Sequence, residues 1–157
     1  MVIQGVGFTE AKSGLSGLMT EVVHRHRPEL IERHGGKEAA VLMSREDLVA
    51  LLSDYRFRPR VALGGGEASA VLEDLGIVAA GADFEEAMEN LVRELRDYAH
   101  DFLVERPSFY RQTSRVRHEP WLLRFALTPP GEQLALLYDD SRIASEELLT
   151  EDAAVAS

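Results

Sequence analysis

The sequence predicts an α+β protein built in two parts, and three observations carry that prediction. Apolar residues recur at helical spacing over residues 15–23 and again over 84–102. Short apolar runs at 39–43, 69–74 and 76–81 read as strands instead. Between the front and back parts the composition breaks. There "RFRPRVALGGGEAS" gathers three arginines, a proline and a glycine triplet, and reads as a linker over residues 59–70.

At 157 residues the chain holds one compact domain or two small ones. An apolar content of 45% with 28% charged residues excludes general disorder. No apolar run approaches the roughly 20 residues that span a bilayer. The start, "MVIQGVGF", has no basic residue ahead of an apolar core, so it does not read as a signal peptide. With no cysteine, disulfides and thiolate chemistry are excluded, and a cytoplasmic protein is expected. The net charge of -10 is uneven: residues 1–60 carry 9 Lys+Arg against 8 Asp+Glu, residues 61–157 carry 8 against 19. A front third of that balance can meet DNA, since phosphate responds to local potential, while the acidic remainder suits a basic protein or simply solvates the surface.

In chain order, Leu15, Leu18, Met19, Val22 and Val23 form the buried stripe of a helix, with Thr9 as its cap and Pro28 beyond its end. Gly14 and Gly17 weaken that helix by about 1 kcal/mol each. A close approach, as in a tightly packed dimer, would explain them; plain tolerance is the other explanation. "ELIERHGGKEAAVLM" reads as a hairpin turning on "HGGK". The Ala39–Met43 run is apolar on both faces, as in a strand covered on both sides. Ser44 and Asp47 form a capping box before Leu48, Leu51, Leu52 and Tyr55. So short a front segment cannot cover such a strand alone, which predicts dimerisation or cover from the back half.

Further on, Asp83 and Glu86 cap a long helix, with Glu85 beside them at its positive end. Phe84, Met88, Leu91, Leu95, Tyr98 and Phe102 line one face, and the helix stops before Pro107. In "EPWLLRFALTPPGEQLALL", Trp121, Leu122 and Phe125 are either anchors for a partner or a core cluster. The acidic end, residues 141–157, frays or folds against a basic partner.

No catalytic, metal or cofactor site is expected. His24 and His26 stand two apart on a helix and point away from each other, and His34, His100 and His118 lack neighbours at ligand spacing. "GGG" has no following Lys-Ser/Thr and is not a phosphate loop. No serine or histidine sits in a nucleophile frame.

The stretch "FTEAKSGLSGLMTEVV…LIERHGGKEAAVLMSREDLVALL" resembles the N-terminal domain of the Phd/YefM antitoxins of bacterial toxin–antitoxin pairs. The shared pattern is a helix start followed by "LS", a strand ending in Ile-x-Arg, a glycine turn, "AAVLMS" and an acidic pair before the second helix. The back half is similar to the longer Phd-like antitoxins associated with RelE-type toxins, and "DLGIVAAGADFEEAMEN" resembles the core of HicB-type antitoxins. The HicB core is related in shape to ribonuclease H, but Asp74, Asp83 and Glu85 serve better as turn and cap residues than as a magnesium site.

The resemblance implies a homodimer with a helix–hairpin–helix domain at 1–58. An α/β, HicB-like or helical toxin-binding domain would follow at 71–140, then an acidic tail at 141–157. It implies DNA contacts at Thr9, Lys12, Ser13 and Arg33, assisted by His34 and Lys37. A cognate toxin would be bound further along, with Trp121, Leu122 and Phe125 as candidate contacts. Operator binding would repress the protein's own operon. Lys12 stands where the family usually has arginine, which favours a phosphate contact over a base contact. Gly14 replaces a commonly polar residue, and Glu10 and Glu32 repel phosphate. The rival implication is a Phd-fold interaction module that has lost DNA binding.

Overall fold

The structure is a computed structural model that describes residues 3–141. It is a mixed α+β chain in two compact units, Met1–Leu51 and Leu52–Ser157.

In the front unit a short strand β1 (Gly5–Gly7) leads directly into helix α1 (Phe8–Ser13). Helix α2 (Leu15–His24), the hairpin of β2 (Glu29–Arg33) and β3 (Glu38–Leu42), and helix α3 (Arg45–Leu51) follow. Strand β2 is the centre of the sheet, parallel to β1 and antiparallel to β3, with Arg33 opposite Glu38. The turn between β2 and β3 puts His34, Gly35 and Gly36 at φ 52°, 66° and 82°, so the glycine pair that marked it in the sequence is what lets it close. The expected capping box is present: Ser44 Oγ accepts from the Asp47 amide at 3.0 Å and donates to the Asp47 carboxylate at 2.6 Å.

Three expectations for this unit are corrected. Gly7, not Thr9, stands at the N-cap of α1, and no side chain caps it. The single helix is two, because Gly14 leaves helical geometry at φ -104°, ψ 18°, while backbone bonds continue into it and out of it. The apolar run 39–43 is not covered on both sides within its unit: Ala39, Ala40 and Val41 are exposed on the edge strand β3. β1 was not foreseen at all.

The back unit opens with a three-stranded antiparallel sheet of β4 (Arg60–Gly64), β5 (Glu67–Leu72) and β6 (Ile77–Gly81), in chain order. Residues 59–70 are therefore not a linker. The glycine triplet is a two-residue hairpin turn, Gly65 and Gly66 at φ 63° and 82°, closed by the Gly64–Glu67 pair. Nor does the front unit extend to residue 58, for Phe57 is buried in the back core. Helix α4 (Phe84–His100) crosses one face of this sheet. Its capping box is reciprocal: the Glu86 amide donates to Asp83 at 2.9 Å, and Glu86 accepts from the Ala82 amide at 2.6 Å. β5 and β6 alternate buried and exposed residues, so Ala68, Ala70, Leu72, Ile77 and Ala79 meet Met88, Leu91 and Leu95. Small residues on the strands let the helix sit close. At Gly81 a Cβ would fall 2.4 Å from the Ala87 amide nitrogen.

After α4 the chain makes a π-helical turn (Asp101–Glu105), helix α5 (Pro107–Tyr110), a 3-10 turn (Ser114–His118) and helix α6 (Glu119–Leu127). A last helical segment runs from residue 133 to the end of the description at 141. Phe102, Tyr110, Leu122, Phe125 and Leu137 complete the core with Phe57. Inside it Arg124 and Asp140 form a bidentate ion pair at 2.5 and 3.0 Å. Asp140 also accepts the Phe57 amide at 2.7 Å, and Arg124 donates to the Tyr55 carbonyl at 3.1 Å.

Asp140→Ala strands the buried guanidinium of Arg124 and is expected to destabilise the back unit by about 3–5 kcal/mol. Urea unfolding followed by the fluorescence of Trp121, the only tryptophan in the sequence, measures it. A loss under about 1 kcal/mol would mean the pair contributes no more than an exposed one.

Candidate nucleic-acid and partner surfaces

Arg33 closes β2, and its side chain reaches in two directions. Its Nε donates to Glu38 at 2.7 Å and its Nη2 to the same carboxylate oxygen, while the guanidinium lies 5.7 Å from the centre of the Phe8 ring. The hairpin is thereby joined to the first residue of α1. Phe8 and Thr9 are exposed there, as are His34 and Lys37 in the turn. The structure thus brings Arg33 and the beginning of α1 together, as candidate DNA contacts require.

Lys12 and Ser13 are also exposed but lie in the last turn of α1, not at a helix start, and Ser13 Oγ already donates to the Glu10 carbonyl at 3.0 Å. The first turn of α1 carries Glu10 and no side-chain cap, so it is a poorer anion site than expected. Glu32 adds a carboxylate beside the turn: its side chain lies where a Cβ on Gly5 would fall, and within 3.5 Å of one on Gly36.

Beside this surface the stripe expected to be buried is open. Leu15, Met19 and Val23 are 50%, 45% and 41% exposed, and of the stripe only Val22 is fully buried. Met19, Val22, Val23, Leu42 and Met43 line a groove of about 370 Å³. The periodicity found this face correctly, but the single chain does not cover it.

Of the three candidate toxin contacts, two are interior and Trp121 is partly exposed. Leu122 and Phe125 are 0% and 1% exposed and belong to the core. Trp121 is half-buried, its indole N–H donating to the Arg56 carbonyl at 3.1 Å and its ring edge-on to Tyr55 at 4.9 Å. Their apolar character was legible in the sequence, and burial follows from the long-range pairing of α6 with residues 55–57. The candidate tail lies outside the described residues, except Ser141 at its start.

A polar cluster at the end of α4 went unread in the sequence. Arg106 Nε donates to Asp101 at 2.8 Å, Tyr110 donates to Asp101 at 2.5 Å, and these bonds hold the Asp101 carboxyl down at about 2. Nearby, buried His118 pairs Nδ1 with the Tyr98 hydroxyl at 2.8 Å, and its Nε2 has no partner among the described residues. Burial first, then Arg117 and Arg115, push the His118 pKa below 6.5. Among the described residues no three His, Asp or Glu side chains gather as a metal site would need. No helix among them is long and apolar enough to cross a membrane.

Residues 1–137 match the family model described as PHD-like, the antitoxin of RelE/RelB toxin–antitoxin systems. The chain belongs to this antitoxin family. No curated protein matches it by sequence. A crystal structure of a protein from Syntrophomonas wolfei subsp. wolfei, described as an antitoxin part of a toxin/antitoxin system, superposes with a TM-score of 0.72 at 22% identity. The likeness covers 85% of this antitoxin and 96% of that chain, and at such identity it bears on the fold alone. Membership gives the antitoxin a toxin partner and a regulatory role, and it fits a cluster of polar side chains arranged for structure.

The His118 shift has a definite sign. The folded antitoxin keeps the ring neutral, whereas the unfolded chain protonates near pH 6.5, so the back unit is expected to lose stability as pH falls below 6.5. His118→Phe should flatten that slope in urea unfolding read at Trp121. A second loss belongs to Asp101: its contribution is complete above about pH 3.8 and gone near pH 2, and Asp101→Asn should abolish it. An unchanged profile in both variants would overturn these assignments.

Proposed function

We propose that this antitoxin acts in the cytoplasm as a homodimer that binds operator DNA through its front unit and so represses its own operon. Its back unit and acidic tail neutralise a RelE-type ribonuclease toxin. The observation that carries the DNA half is the Arg33 guanidinium set over Phe8, which makes one exposed surface of the hairpin turn and the start of α1. Arg33 must leave Glu38 to reach a base. Both side chains of that pair are about half exposed, so it is worth roughly 1 kcal/mol or less. A bidentate contact to guanine is worth about 1–3 kcal/mol, and the exchange is favourable. Thr9, His34 and Lys37 then serve as phosphate contacts, with Lys12 and Ser13 at the margin.

Dimerisation is supported by the open stripe of Leu15, Met19 and Val23 and by the uncovered apolar strand β3. Two copies would present two such surfaces to matching half-sites, as dimeric DNA-binding proteins do. For the toxin half, residues 142–157 contribute Glu146, Glu147, Glu151 and Asp152, and an acidic segment complements the usually basic RelE-type partner and speeds encounter.

The second reading, an interaction module without DNA binding, is favoured by the Arg33–Glu38 pair and by the Glu32 carboxylate beside the turn. Titration of the full chain against its own promoter fragment at two salt concentrations separates them. Specific, salt-sensitive binding that falls at least about tenfold in Arg33→Ala supports the operator reading. Equal affinity for promoter and unrelated DNA supports the second. For the dimer, Met19→Glu places a charge in the apolar stripe and is expected to give monomers by light scattering. A dimer that persists unchanged would move the interface elsewhere.

A further inference from the structure

We propose that the Arg106–Arg117 stretch of the back unit is a contact for single-stranded nucleic acid, gripping the backbone with guanidinium groups and stacking a base on Phe109. It is independent of the operator reading, since it lies on the other unit and does not discriminate sequence.

The charge pattern is the first support. Residues 52–157 carry 11 arginines against 20 carboxylates, yet from Arg106 to His118 there are four arginines and no carboxylate. Such a local patch on an acidic body can attract a polyanion. Folding concentrates it. The stretch packs around the aromatic cluster of Tyr98, Tyr110 and His118, whose ring centres lie about 6 Å from Tyr98. Arg106 and Arg115 both act electrostatically on Tyr110, against Asp101, and Arg115 and Arg117 both act on His118, against Asp74. Arg106 is engaged by Asp101 and Arg111 by Glu119, but among the described residues no carboxylate pairs with Arg115 or Arg117, and both are exposed. Two planar forks that no carboxylate holds are suited to phosphate oxygens.

The apolar neighbours decide the class of partner. Phe109 is 54% exposed, with the Arg106 guanidinium 5.4 Å from its ring centre. An exposed ring braced by a guanidinium is a platform for an unpaired base, which a duplex does not offer and an acidic peptide does not need. The patch follows the π-helical turn Asp101–Glu105, a backbone irregularity that often accompanies function.

The test is fluorescence anisotropy of a labelled oligothymidylate of about 12 nucleotides, titrated with the full-length antitoxin at low and moderate salt. Wild type is expected to bind saturably. Arg115→Ala/Arg117→Ala should weaken binding about tenfold at low salt and lower the salt slope by about 1.4, the share of two phosphate contacts to a single strand. Phe109→Ala should weaken it about fivefold or more. Arg93→Ala, at an exposed arginine of α4 outside the patch, should leave it unchanged, and promoter binding is scored separately, so failure of the operator reading and failure of this one are told apart. Arg117→Ala alone, whose guanidinium has no hydrogen-bond partner to lose, guards against misfolding in the double variant; Trp121-monitored unfolding checks both. The proposal is overturned if no saturable binding is seen or if the variants stay within about twofold of wild type. It is likewise overturned if a duplex binds as well with no effect of Phe109→Ala, or if polyglutamate binds in place of the oligonucleotide.

Discussion

The Asp140 carboxylate is the constraint on which the back unit depends. It lies near the end of the described chain yet accepts the amide of Phe57 and both arms of Arg124. Through Arg124 it also fixes the carbonyl of Tyr55. One carboxylate thus ties residues 55–57 to helix α6 and to the last helical segment. An unpaired charge at that depth would cost several kcal/mol, so its partners and their positions are tightly determined. The rest of the unit is arranged around that closure: Phe57 is held against Phe125 at 6.0 Å, and Trp121 covers the backbone of Arg56.

The front unit is constrained in the opposite way, by what it fails to cover. Its sheet and helices leave Leu15, Met19, Val23 and Val41 at 41–63% exposure, more apolar surface than a domain of this size readily tolerates. A unit of some 50 residues has too little interior to hide such a stripe. On its exposed polar edge Arg33 is paired with Glu38 and lies over Phe8.

Local signals in the sequence translated well. Ser44 with Asp47 and Asp83 with Glu86 place their helices because a cap is satisfied within four residues of chain. The Met88–Leu91–Leu95 face is read from spacing alone. Long-range consequences were not legible. β4 hides in "RVALGGG", where the glycines suggest a linker, and only pairing with β5 makes Arg60–Gly64 a strand. The break at Gly14 needs the geometry of two helices, since its backbone bonds look helical on either side. Of the candidate site, the exposure of Arg33, His34 and Lys37 followed from a turn, whereas the burial of Leu122 and Phe125 comes from packing with residues far away in the chain, Phe57 among them.

The boundary at Leu51–Leu52 bears on how such proteins are inherited. The composition break near residue 59 suggests a natural joint, but a crossover there would carry Phe57 away from the core that houses it and divide the hairpin from its anchoring residues. A crossover that leaves the back core whole falls ahead of residue 55, because residues 55–57 are bonded to α6 and to the last helical segment. Recombinants should survive as swaps that keep residues 55–57 with the rest of the back unit.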